Sequence, residues 1–309
     1  MKQKKFISNL LLLLTAILAL TSIYSCSEEE LIVNEGYNSS RVKVVDNVVH
    51  FANLDAFHSI MSELHKKGRQ NLKVWEDENS FSYSYRKVLD NEQSDSSIIE
   101  KPIIEDPFFA TVVNQDGVFV VEDTIYKITL NNEYIIPELD FSKLAAIDEG
   151  ENLRSTSNII SRQIKRKEFS SDGLRNVTWW NTRKKNSSST PPVCSNNLSA
   201  HLKCWSVNYF LYGSIGIRIS GRKYKRRKWR DDDMWYAKVD GCAVGGPTWS
   251  TPATYCGSNT GTNTKNVSKT LLWIAGTPGS AFVSCEEITC DYTYEDDGCP
   301  RVTWTETWN

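Results

Sequence analysis

Tyr212-Gly-Ser-Ile-Gly-Ile-Arg-Ile-Ser220 decides how the second half of the chain is read. Ile215, Ile217 and Ile219 alternate with Ser214, Gly216 and Arg218. A period of two is the pattern of a strand with one apolar and one polar face. The same period runs upstream through Ala200, Leu202 and Cys204, then shifts phase to Trp205, Val207 and Tyr209, as it would across a bulge. It returns at the end of the chain, where Val302, Trp304, Glu306 and Trp308 share one face with threonines on the other. From residue 170 on, Gly, Pro, Asn, Ser and Thr punctuate short apolar runs, and Thr178 to Thr182 reads as an entry strand. Turns about every ten residues predict an all-β, sandwich-like domain over 170–309.

The first half has a different rhythm. Val42–Val45 and Val48–Phe51 flank Asp46-Asn47, a two-residue hairpin gap. Asn53 then caps a helix whose apolar positions Leu54, Phe57, Met61 and Leu64 recur until Gly68. His58 and His65 stand seven apart on it, each one residue past an apolar position, and read as half-buried edge residues. Asp106 caps a second helix with Pro107 at its first position and Phe108, Phe109, Val112 and Val113 on its buried side. Asp116-Gly117 turns into Val118–Val121, Glu122-Asp123 turns back into residues 124–130, and a last strand covers residues 134–136. The fold class expected is therefore α+β: a small α+β module over 41–147, a linker over 148–169 carrying the basic run from Arg162 to Lys167, then the all-β domain.

Charge follows the same division. Residues 27–150 hold 24 acids against 11 bases, and residues 151–309 hold 14 acids against 22 bases. Nine of the ten tryptophans and seven of the eight cysteines lie in the second part. Those seven are Cys194, Cys204, Cys242, Cys256, Cys285, Cys290 and Cys299. They include no Cys-x-x-Cys pair, and only one of the four histidines, His201, lies near them, so neither a zinc site nor any cofactor is expected. Disulfides are the natural fate of cysteines in an exported chain. Most of the seven are expected to be bridged, with Cys242–Cys256 and Cys290–Cys299 favoured because each pair brackets a glycine-containing turn. An odd number leaves one thiol over.

The export address comes from the N-terminus. Lys2, Lys4 and Lys5 precede an apolar run from Phe6 to Ile23 that ends at Ser25-Cys26, the anatomy of a secretory signal over 1–25. No basic stop-transfer cluster follows, which argues against a spanning helix. Ile23-Tyr24-Ser25-Cys26 resembles the lipobox of bacterial lipoproteins, and the resemblance implies a lipid-bearing Cys26 at the mature N-terminus and a tether over 26–40. Ser27, Glu28, Glu29 and Glu30 resemble the acidic export signal of Bacteroides-type surface lipoproteins, which implies an outer-membrane, surface-exposed location. Three blocks also resemble the N-terminal module of a family of uncharacterised Bacteroides lipoproteins. They are Val48–Phe57, then Trp75-Glu76 with Phe81-Ser82, then Glu105–Gly117 followed by Ile125–Ile128. That likeness implies a small α+β module and no reaction.

The strongest chemical signal is Arg222-Lys-Tyr-Lys-Arg-Arg-Lys-Trp-Arg230, followed by Asp231–Asp233 and Trp235. Cations interleaved with rings, here Lys223, Tyr224, Lys225, Arg226, Arg227, Lys228, Trp229, Arg230 and Trp235, suit an anionic polymer. A solvated basic hairpin partly neutralised by its own aspartates is the plainer alternative. The chain without its signal is net acidic, which sets an anionic glycan, a host-matrix ligand or a lipid headgroup ahead of nucleic acid. No catalytic residue is assigned: Gly-x-Ser-x-Gly, His-Glu-x-x-His and a phosphate-binding glycine loop are all missing. A glycosidase carboxylate pair has no fixed sequence spacing, so a hydrolase would draw on Asp231–Asp233, Glu286 or Glu287. A binding or adhesion module is the leading expectation, ahead of a glycan hydrolase and of a purely structural surface protein.

Overall fold

Asp46 and Asn47, at φ 50° and 61°, form the tight turn between strands β1 (Val42–Val45) and β2 (Val48–Phe51). Both are residue types that tolerate the left-handed region a two-residue hairpin demands. The computed structural model describes residues 41–90, 104–148, 158–166, 177–181, 198–225, 228–231, 233–296 and 299–308. Cys26, Ser27 to Glu30, Cys194, Arg226 and Arg227 lie outside them. The chain is mostly β with few helices.

Helix α1 (Leu54–Lys67) starts where Asn53 Oδ1 accepts the Ala56 N–H at 2.8 Å and stops at Gly68, whose φ of 81° is open to glycine without strain. Short helices α2 (Leu72–Glu78), α3 (Tyr85–Asp90) and α4 (Pro107–Val112) follow. Strands β3 (Val118–Val121), β4 (Thr124–Ile128) and β5 (Asn132–Pro137), helix α5 (Ser142–Asp148) and edge strand β6 (Ile160–Gln163) complete a first sheet in the order β1 to β6. Its only parallel pair among the described residues is β2 with β3, because the helices α1 to α4 intervene between those strands. Inside the stretch read as linker, Arg162 thus becomes a cross-strand partner of Glu133.

The rest is strand. The second sheet takes β7 (Lys165–Arg166), β8 (Val177–Asn181), β9 (Leu198–Asn208), β10 (Tyr212–Lys225) and β11 (Lys228–Asp231). Strands β12 (Met234–Pro247) and β13 (Ala253–Thr264) belong to a third sheet, β14 (Asn266–Ala275) returns to pair with β10, and β15 (Val283–Asp296) and β16 (Cys299–Trp308) finish the third. Leu202, Cys204, Ile215, Ile217 and Ile219 pack against Ala237, Val239, Ala243, Ile288 and Tyr292, so sheets two and three share one core. Each buried isoleucine contributes about 1.5–3 kcal/mol.

The polar face of the opening stretch is not wet. Ser214 is 0% exposed and Arg218 3%, because that side of β9 and β10 lies beneath the N-terminal helices. Trp205, Val207, Tyr209 and Tyr212 join Phe57, Phe108 and Phe109 in a second core cluster. Arg218 Nη2 donates to the Glu105 carbonyl at 2.7 Å, which satisfies part of a charge that burial would otherwise leave exposed to cost. Gly216 sits directly under the Trp205 ring, where a Cβ would collide.

Among the cysteines, Cys242 and Cys256 are direct cross-strand partners and are bridged, with Cα atoms 4.0 Å apart. The expected Cys290–Cys299 bridge does not form. Cys290 aligns with Glu306 and Cys299 with Asp296, so the β15–β16 register carries the two apart along the ladder. Cys204 and Cys290 are buried thiols, and burial pushes both upward in pKa, Cys290 to about 12.

Candidate functional site

The basic run is an antiparallel ribbon. Lys223 stands opposite Arg230, Tyr224 opposite Trp229 and Lys225 opposite Lys228. The ladder therefore sets two like-charged pairs in alternation with one aromatic pair. Like charges directly opposite one another destabilise a ladder, whereas at the ribbon's base Arg222 stands opposite Asp231. Its foot is fixed where Gly221 N–H donates to the Lys265 carbonyl at 2.9 Å and Ser220 pairs with Asn266. Trp235, just beyond the ribbon on β12, is 53% exposed, as a ring offered to a ligand would be.

At that foot lies a cleft of about 510 Å³. One wall is the turn from β13 into β14, with Asn263 at φ 49°, and the other carries Arg69, Gln70 and Asp90. Asp233 and Val267 also line it. Gly68 places Arg69 there by ending α1 in a short 3-10 turn. Arg69 Nη1 donates to Ser268 Oγ at 2.6 Å, while Nη2 donates to Asp90 Oδ1 at 3.1 Å and to Asn266 Oδ1. Burial lowers the Arg69 pKa to about 10 against the pull of Asp90, which leaves the guanidinium charged at neutral pH. Arg86 braces Asp90 from the other side and also grips the buried carboxylate of Glu76, Nε to Oε1 at 2.8 Å.

Behind the cleft, the helices are tied to the second sheet by a buried polar chain. Asp106 Oδ1 caps α4 by accepting the Phe108 N–H at 2.8 Å, and Oδ2 accepts from Tyr212 Oη at 2.9 Å and from Thr270 Oγ1 at 3.0 Å. His65 Nε2 is 2.9 Å from the same Tyr212 hydroxyl. Since that hydroxyl gives its one proton to the carboxylate, His65 donates to it as the neutral Nε2–H tautomer. The imidazole lies between Phe108 and Trp273, centroids 4.0 and 4.2 Å away. Burial drops its pKa to about 4, with Asp106 pulling the other way. An Asp-Tyr-His chain can relay a proton, but burial raises the Tyr212 pKa far above 10 and both Asp106 and Tyr212 are 0% exposed. Its chemistry is structural.

The structure thus brings Asp233 to the cleft and leaves Glu286 and Glu287 on β15, away from it. The side chains of residues 222–231 and Cys299 are not described, and Asp232 lies outside the described residues. Sequence reasoning missed Arg69, Asp90 and the turn from β13 into β14 with its neighbours Asn259 and Asn266. Gly68, read only as a helix stop, was the available signal for the first of them. Among the described residues no group of three or more ligating side chains could hold a metal, and no helix is long and apolar enough to cross a membrane.

No family model matches the chain, and no curated protein does. Among solved structures the chain is similar to the crystal structure of a DUF4848 family protein from Bacteroides thetaiotaomicron, with 9% identity over 85% of this chain and 98% of that one. The TM-score is 0.21, too low to carry a statement about fold or function.

Proposed function

We propose that this is a lipid-anchored outer-membrane protein, attached through Cys26 and exported by Ser27 to Glu30, that binds an anionic glycan at the cell surface. In this reading the α+β module over 41–147 and the all-β domain over 170–309 form the part held away from the membrane by the tether. The observation that carries the binding is the ribbon: Lys223 against Arg230 and Lys225 against Lys228. Two like-charged pairs on one face weaken a ladder, and an anion lying along them relieves that repulsion while gaining charge-assisted hydrogen bonds of about 1.5–3 kcal/mol each. The exposed Trp235 adds a ring surface of the kind that sugars stack on.

The test is an array of glycans and host-matrix polymers probed with residues 39–309, which form one compact unit. Sulfated and uronate-bearing spots are expected to light up, and changing Lys223, Lys225, Lys228 and Arg230 together to alanine is expected to erase them. Undiminished signal from a variant with an unchanged melting temperature would remove the ribbon from the site. Release of a sugar product would move the reading to a hydrolase.

A further inference from the structure

We infer that the cleft at the foot of the ribbon is a subsite for an uncharged, hydroxyl-rich sugar ring of the same glycan chain; the inference rests on the glycan reading for the ligand's polymeric nature, and on the cleft alone for its chemistry. The volume of about 510 Å³ lies within the roughly 300–1,000 Å³ of small-ligand sites. Its charge is balanced: Arg69 is ion-paired with Asp90, and Lys265 is matched in number by Asp233. A sulfate or phosphate would find no cationic excess here, in contrast to the ribbon.

The rest of the lining is amide and hydroxyl, and Val267 is its one aliphatic side chain among the described residues. An apolar ligand therefore has nothing to bury against. Several polar atoms have no further partner among the described residues. Asn266 gives its carbonyl to Arg69 and keeps its Nδ2 amide, and Gln70 gives its Nε2 amide to the Lys67 carbonyl and keeps Oε1. Asn263, Asp233 and Lys265 are exposed on the rim. Sugar hydroxyls donate and accept at once, so a lining of mixed, neutral donors and acceptors is their complement. Asn259 stiffens the wall by donating to the Ser268 carbonyl at 2.8 Å, which lowers the ordering cost of binding.

The experiment is calorimetric titration of residues 39–309 with unsulfated and sulfated hexasaccharides of glucan, mannan and galactan. At least one unsulfated oligomer is expected to bind, and Gln70→Ala with Asn263→Gly, both of which leave the charge unaltered, is expected to weaken it about tenfold while leaving the salt dependence of the sulfated form unchanged. Glycine accepts the left-handed backbone at 263, so the fold survives, and an unchanged melting temperature confirms it. Failure of every unsulfated oligomer to bind, or binding unaffected by the two substitutions, overturns the subsite. Failure of the ribbon reading looks different: sulfated and unsulfated forms would then bind equally.

Discussion

Strand β10 treats its cations in two ways. At its buried end, Arg218 is 3% exposed, bonded to the Glu105 carbonyl and 5.8 Å from the Trp205 ring centre. At its outer end, Lys223 and Lys225 meet further cations across the ladder. A buried charge must be partnered or the fold fails. Like charges directly opposite one another cost a ladder on the order of 0.2–1 kcal/mol. One strand thus holds a partnered, buried cation and cations set opposite like charge within a few residues, and the difference shows that local composition alone does not say which lysine or arginine is partnered.

The largest expected effect belongs to the buried contacts. Asp106→Ala removes an N-cap and strands the Tyr212 and Thr270 hydroxyls, so a loss of about 3 kcal/mol or more is expected in urea unfolding. A loss under about 1 kcal/mol would show that the helices do not depend on this anchor. His65 gives a pH signature of nearly the same size. Its folded pKa of about 4 lies below the ordinary 6.5. The unfolded chain therefore holds more protons between those values, and stability present above pH 6.5 is lost as pH falls towards 4, by on the order of 3 kcal/mol at most. His65→Gln should flatten that fall; a variant as acid-sensitive as the parent would contradict it.

Glu133 should act in the opposite sense. Burial raises its pKa to about 7, despite the Phe210 N–H at 2.6 Å and Arg162 at 3.3 Å, and Oε1 has no hydrogen-bond partner among the described residues. Its contribution is full below pH 4.5 and is lost as pH rises through 7. Glu133→Gln is expected to gain stability relative to the parent between pH 5 and pH 8, as read from urea midpoints; no relative change would mean the carboxyl stays ionised throughout. The smallest effect belongs to the ribbon. Lys225→Glu replaces a repulsive pair with an attractive one and should stabilise the protein by about 0.2–1 kcal/mol while weakening anion binding. If it destabilises, the ribbon's cations are not in conflict.

Much of this was legible in the sequence. Asn53, Gly68 and Asp106 mark helix ends because caps are local chemistry, and Asp46-Asn47 marks the hairpin for the same reason. The alternation from Ser214 to Ser220 gave the strand but misled on its polar face, since a pattern of period two does not reveal what later covers it. Cys242–Cys256 was within reach because a short hairpin aligns its ends, while Cys290–Cys299 failed on a register no spacing rule sets. Arg69, Asp90 and Asn266 come from segments far apart in the chain and meet only through folding, which is why the cleft was invisible beforehand.

The ribbon's opposed cations are proposed to bind an anionic glycan. The most direct test is the affinity of residues 39–309 for a sulfated hexasaccharide, measured by calorimetry at low and at raised salt. Affinity is expected to fall on the order of tenfold as the ribbon's charges are screened, and the fall is expected to disappear when Lys223, Lys225, Lys228 and Arg230 become alanine. An affinity indifferent to salt, or equally strong in that variant, would contradict it.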